Sequence, residues 1–144
     1  MTYLPDVNVW IAVAYDAHVH HAPATAWFEA IEADKIVFCR VTELAFLRLL
    51  TNPRVMTDKD VRTYSEAWTG LDTLYKDTSV GFAEEPEGLE RAWRNNTHHH
   101  NTGANFWTDA YLAGFAAAAG YTIVTFNRGF RRYKDVRLEL LGAQ

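Results

Sequence analysis

The chain opens MTYLPDVNVWIAVAYD (residues 1–16), and the reading of this stretch decides the fold. Taken as one continuous strand it would bury Asp6, and an unpaired buried carboxylate is very costly. The run therefore predicts a break: a short strand from Thr2 to Pro5, then a helix from Asn8 to Tyr15 with Asn8 as its N-cap. Asp6 then falls at the carboxyl end of a strand, where open α/β sheets keep their sites.

Further along, short strand-like runs recur at 35–40 (KIVFCR), 79–82 (SVGF), 121–126 (YTIVTF) and 136–140 (VRLEL). Helical patterns lie between them. Residues 22–33 place Ala26, Trp27, Ala30 and Ile31 at helical spacing, and 42–51 does the same with Leu44, Leu47 and Leu50 behind Thr42 as a cap. Residues 58–75 follow Thr57 or Asp58 as a cap, 86–94 is shorter, and the alanine-rich 108–119 stops at Gly120. Strands alternating with helices imply βαβ crossovers, so the expected fold class is α/β: a three-layer α/β/α sandwich on a mainly parallel sheet.

A length of 144 residues, 49% hydrophobic and 22% charged, points to one globular domain over 1–144 and excludes disordered and fibrous classes. A net charge of -4 argues against binding nucleic acid by bulk electrostatics and leaves room for a local patch. The segment NRGFRRYKDVR (127–137) supplies one in Arg128, Arg131, Arg132, Lys134 and Arg137. It reads equally as a solvated surface or as a phosphate-contacting one. Cys39 is the only cysteine, which rules out an internal disulfide and suits a reducing cytoplasm. With no signal-peptide pattern and no apolar run of bilayer-spanning length, the expected location is cytoplasmic, away from membranes.

With the elements placed, the acids line up. Asp6 follows the first strand, Glu43 lies just after the second, Asp109 opens the alanine-rich helix, and Asn127 follows the strand YTIVTF. Each acid alone reads first as a turn former, a cap or a partner of a helix dipole. Together they point elsewhere: clustered carboxylates raise one another's pKa unless a cation sits among them. An all-oxygen donor set suits Mg²⁺ or Mn²⁺, and such a centre suits phosphoryl chemistry.

At these residues the sequence resembles the PIN-domain ribonucleases, and among them the VapC toxins of toxin–antitoxin pairs. The resemblance rests on DVNVWIA at Asp6, VTELAFLRLLTNPRV around Glu43, WTDAYLAGFA at Asp109 and TIVTFNRGF ending at Phe130. It implies a Mg²⁺- or Mn²⁺-dependent endoribonuclease, a small antitoxin that covers the active site, and a homodimer. Carried over by position, Asp6, Glu43 and Asp109 match the three core acids and metal ligands. Asn8 matches the polar residue that supports the first acid, and Thr108 and Thr125 stand beside the site as further supports. Where many relatives carry an aspartate this chain has Asn127, and Gly129 stands where some carry another. Asn127 is therefore expected to be a non-acidic member of the site, with weaker metal binding as the consequence. Arg128 and Arg131 are candidates for contacts to flanking RNA phosphates.

Other features compete for a role. His18, His20 and His21 cluster, and His98, His99 and His100 form a run; with no cysteine nearby, exposed loop positions that touch RNA or respond to pH fit them better than zinc. Trp10, Trp27, Trp68 and Trp93 read as core, whereas Trp107, beside Asp109, is a candidate for stacking a base as well as for packing. Neither Ser65 nor Ser79 sits in a G-x-S-x-G elbow, and no phosphate-cradling glycine loop occurs. Two functional classes remain: an active metal-dependent ribonuclease toxin, and a catalytically weak PIN-like module that binds RNA or a protein.

Overall fold

The computed structural model describes residues 1–31, 34–99, 103–104 and 106–142. Five strands form one sheet: β1 (Thr2–Pro5), β2 (Lys35–Phe38), β3 (Val80–Phe82), β4 (Thr122–Thr125) and β5 (Arg137–Leu140). Every pairing is parallel and the order is β3-β2-β1-β4-β5. The chain lays strands outward from β1 in one direction, then returns to build β4 and β5 on its other side. The reversal falls between β1 and β4, and a crevice opens at the carboxyl ends of strands at such a switch point.

Six α-helices stand among the described residues: α1 (Val7–Ala14), α2 (His21–Ala30), α3 (Arg40–Leu50), α4 (Tyr64–Tyr75), α5 (Leu89–Asn96) and α6 (Phe106–Ala119). Alternation along the strands assigns them to two faces. Tyr3, Ile36, Phe38 and Val124 point into a core with Trp10, Trp27, Phe46 and Leu71 of α1–α4. Leu4, Val37 and Ile123 point the opposite way, against Leu89 of α5 and Leu112 and Phe115 of α6. The layers are thus α/β/α around a wholly parallel sheet.

Several helix starts differ from expectation, each for a local reason. The cap of α1 is Asp6, not Asn8: its side chain takes the Val7 N–H, so the helix begins one residue earlier. Cys39 precedes α3, and Thr42 reaches back to take the Cys39 N–H at 2.9 Å. In α4 the cap is Thr63, whose hydroxyl takes the Glu66 N–H while the Glu66 carboxylate takes the Thr63 N–H, a stronger start signal than Thr57 or Asp58. Gly88, at φ 87, starts α5 beyond Pro86. The expected end of the second helix at Ala33 lies outside the described residues.

α5 and α6 cross closely at Gly114, where an added Cβ would stand 2.9 Å from the Trp93 backbone nitrogen. That approach accounts for a glycine inside a helix. Two expected core aromatics are not core: Trp68 and Trp107 are 54% and 58% exposed, and Leu44 is exposed as well. No helix among the described residues is long and apolar enough to cross a membrane.

Candidate active site

Asp6 stands at the switch point. Its backbone N–H donates to Val124 O at 2.8 Å, which ties the end of β1 to β4. Its Oδ1 takes the Val7 N–H at 2.7 Å and its Oδ2 the Thr125 hydroxyl at 3.1 Å. The side chain is buried. Burial first, then the negative charge of Asp109, push its pKa up to about 6 against the lowering effect of those two hydrogen bonds.

Asp109 arrives from the other layer, in the first turn of α6. A helix in a parallel α/β sandwich runs against the strands, so its N-terminus lies at the carboxyl edge and its dipole favours a carboxylate there. Burial raises the Asp109 pKa and the Arg132 guanidinium opposes that rise. Asn127 links the acids: its N–H donates to Thr125 Oγ1 at 2.9 Å and its Nδ2 to Asp109 Oδ2 at 3.4 Å. A continuous path Asp6–Thr125–Asn127–Asp109 therefore spans the crevice. The Asn127 carbonyl is held in turn by the Gly129 N–H at 2.9 Å, at the start of a 3₁₀ turn over Arg128–Arg132.

Glu43, in the first turn of α3, is buried but engaged elsewhere. Arg40 Nη1 donates to its Oε1 and the Tyr75 hydroxyl to its Oε2, both at 2.6 Å. Burial and then donation to Glu43 raise the Tyr75 phenol far above its usual range. Among the described residues no group of three His, Cys, Asp or Glu side chains is arranged to hold a metal ion. The structure couples Asp6 with Asp109 and Asn127, and it clamps Glu43 between Arg40 and Tyr75.

The supporting candidates divide. Thr125 makes direct contacts to the site, whereas Thr108 is exposed in the first turn of α6. The Asn8 Oδ1 is enclosed and has no hydrogen-bond partner among the described residues. Arg128 and Arg131 are exposed. Trp107 packs edge-on against Trp93 at 6.3 Å, and its carbonyl takes the Trp93 indole N–H. Arg132, which sequence reasoning did not single out, is the cation felt by Asp109; its Nε is fixed on Gly129 O at 2.9 Å. The i,i+3 spacing of Arg40 and Glu43 was the available signal for the clamp.

The histidines hold loop structure. His20 stacks on Phe126 at 4.3 Å, His18 Nδ1 takes the His20 N–H, and His21 Nδ1 lies 2.7 Å from Ala12 O. Burial lowers the His18 pKa, with His20 and His21 adding to the effect. His99 meets the Phe106 ring edge-on, and His100 lies outside the described residues.

Comparison with known proteins identifies the family and the fold. The PIN domain model matches residues 3–136. Ribonuclease VapC41 of Mycobacterium tuberculosis is 38% identical over 142 residues, covering 96% of this chain and 97% of that protein. Ribonuclease VapC38 of the same organism is 32% identical over 133 residues, covering 88% and 85%. Among solved structures, VapBC2 from Rickettsia felis bound to a promoter DNA fragment superposes with a TM-score of 0.71 at 16% identity, over 98% of this chain and 99% of that one. Mycobacterium tuberculosis VapC20, a sarcin–ricin loop cleaving toxin, gives 0.66 at 16% identity over 94% and 98%. With the sheet order, the switch-point acids and a match over nearly the whole length, the chain belongs to the PIN-domain family.

Proposed function

We propose that this protein is a divalent-metal-dependent endoribonuclease and the toxin of a toxin–antitoxin pair. The observation that carries the reading is the carboxylate pair. Asp6 is buried, raised to about 6, and faces the charge of Asp109 at the sheet's switch point. Two acids held in a site where burial first, and then mutual charge, disfavours the ionised form are the donor chemistry a hard divalent cation takes. The residues therefore fit Mg²⁺ or Mn²⁺, with Asp6 and Asp109 as its protein ligands. Bound there, the ion supplies charge neutralisation at a phosphodiester oxygen and a lowered pKa for the attacking water.

The chain's own residues do the rest. Thr125 and Asn127 fix the two carboxylates in orientation. Arg132 adds positive charge beside Asp109, where an RNA phosphate would lie. Arg40 and Tyr75 hold one lone pair on each Glu43 oxygen, which leaves the others to accept the proton of the attacking water. The relatives named as VapC ribonucleases support RNA as substrate, and the VapBC complexes among the structural neighbours support an antitoxin partner. A homodimer and a cytoplasmic location belong to the same reading.

The second reading, a catalytically weak module that binds RNA or a protein, draws on Asn127 and Gly129, which bring no carboxylate. Purified protein incubated with RNA in Mn²⁺ or in excess chelator separates the two. The nuclease reading expects cleavage in Mn²⁺ alone, falling at least about 100-fold in Asp6→Asn and Asp109→Asn. Binding without cleavage favours the second reading, and undiminished cleavage in chelator refutes the metal mechanism.

A further inference from the structure

Next to Arg132 the structure holds a cleft of about 510 Å³ that starts between the end of α5 and Phe106 at the start of α6 and runs along α6 to Ala117, beneath the segment from Arg132 to Val136. A cavity of that size is in the range that encloses a small ligand, large enough for one nucleotide. Its walls are of two kinds. Phe106 and Tyr133 form an aromatic side, with ring centroids 6.2 Å apart and tilted by 40°. The Arg132 guanidinium lies over the Phe106 ring at 5.1 Å. Asn95, Asn96, His99, Lys134 and Asp135 form the polar side. Arg132 and Lys134 against Asp135 leave one net positive charge, in a chain whose overall charge is -4.

This cleft is linked to the catalytic acids through Arg132. Its Nε donates to Gly129 O at 2.9 Å, the Gly129 N–H donates to Asn127 Oδ1 at 2.9 Å, and Asn127 Nδ2 reaches Asp109 Oδ2 at 3.4 Å; the Arg132 charge in turn opposes the rise in the Asp109 pKa. A strand whose scissile phosphate meets Asp6 and Asp109 would bring an adjacent nucleotide to the cleft mouth.

We propose that this cleft is a subsite for one unpaired nucleotide of the RNA substrate flanking the scissile bond, its base stacked on the Arg132–Phe106–Tyr133 side, its phosphate on Lys134 and its edge read by Asn95. The inference rests on the ribonuclease reading above. An aromatic and guanidinium surface stacks any base, and amides that reach base edges are what reads single-stranded RNA. A duplex would not enter, because its bases are not free to turn out.

The test uses fluorescence anisotropy of a labelled single-stranded RNA octamer on full-length protein carrying Asp6→Asn, which blocks hydrolysis, followed by photocrosslinking with 5-iodouridine at successive positions. Lys134→Ala, at an exposed site, is expected to weaken binding about tenfold and to lower the salt slope by about one. Asn95→Ala, also exposed, is expected to weaken it about fivefold with the salt slope unchanged. One octamer position is expected to crosslink to Phe106 or Tyr133. Affinities within twofold of the parent for both variants, or crosslinks only to other segments, overturn the subsite. Hydrolysis of the octamer by the unsubstituted protein is scored separately. Hydrolysis that is indifferent to the cleft variants removes the subsite and leaves the ribonuclease, whereas neither binding nor hydrolysis of any RNA removes both.

Discussion

Asn127 is tied directly to Asp109: its Nδ2 donates to Asp109 Oδ2 at 3.4 Å while its Oδ1 accepts the Gly129 N–H at 2.9 Å. The amide orientation is set by this division of labour, since only the nitrogen has protons to give. Asn127→Asp keeps the Gly129 contact, loses the donor to Asp109 and adds a negative charge. The expected outcome is lower stability without metal and roughly tenfold tighter Mn²⁺ binding, the sign following from added ligand charge. The Mn²⁺-dependent rise in unfolding temperature measures it. An unchanged or smaller rise contradicts the assignment of Asn127 to the site.

Asp6 makes folding pH-dependent. Its pKa stands at about 6 in the folded protein against 3.8 for the ordinary carboxyl, so between these values the folded chain holds a proton that the unfolded chain releases. Its contribution to stability is full below the lower value and is lost as pH rises through the upper one, to the extent of about 3 kcal/mol in metal-free protein. Asp6→Asn removes the loss. The stability of the variant minus that of the parent, from urea midpoints in chelator, is expected to increase between about pH 4 and pH 7. A pH-independent difference contradicts a buried, repelled carboxylate.

The clamp on Glu43 separates orientation from packing. Tyr75→Phe keeps the ring against Phe38, 5.4 Å away, and removes only the hydroxyl that donates to Glu43. A stability loss of about 1 kcal/mol is expected. The kcat for RNA cleavage is expected to drop about tenfold with KM little changed, as for a residue that orients a general base. An unchanged kcat would leave Tyr75 a structural residue only.

Gly114 tests the close crossing of α5 on α6. Gly114→Ala places a methyl against the Trp93 backbone, which cannot rotate out of the way. Although alanine is the better helix former, the overpacking is expected to dominate and cost about 1–3 kcal/mol. A stabilised variant in urea unfolding would show that the two helices can part without loss.

Four strands were legible as short runs rich in β-branched or aromatic residues, and the fifth, RLEL, from its alternation of polar and apolar residues; all five lie where those patterns are. Asp6 was legible for the same reason: it interrupts an apolar run at a strand end. The approach of Asp109 to that edge was open in the sequence, since its helix leads into β4 rather than out of β1. Antiparallel packing of helix on strand settles it, because the helix must start where the strands end. The clamp on Glu43 was hidden because Tyr75 is 32 residues away in sequence. Arg132 was hidden among neighbouring arginines; only the 3₁₀ turn decides which one faces Asp109. Trp68 and Leu44 followed helical spacing yet face outward, because spacing identifies a stripe and not what covers it.

Binding of Mn²⁺ to the purified protein, followed calorimetrically at neutral pH in the parent, Asp6→Asn and Asp109→Asn, probes the shared cation most directly. One saturable ion per site is expected in the parent, with affinity at least about tenfold weaker in each variant. Equal affinity in all three proteins would mean that these carboxylates do not hold the ion together, and the nuclease centre would have to be sought elsewhere.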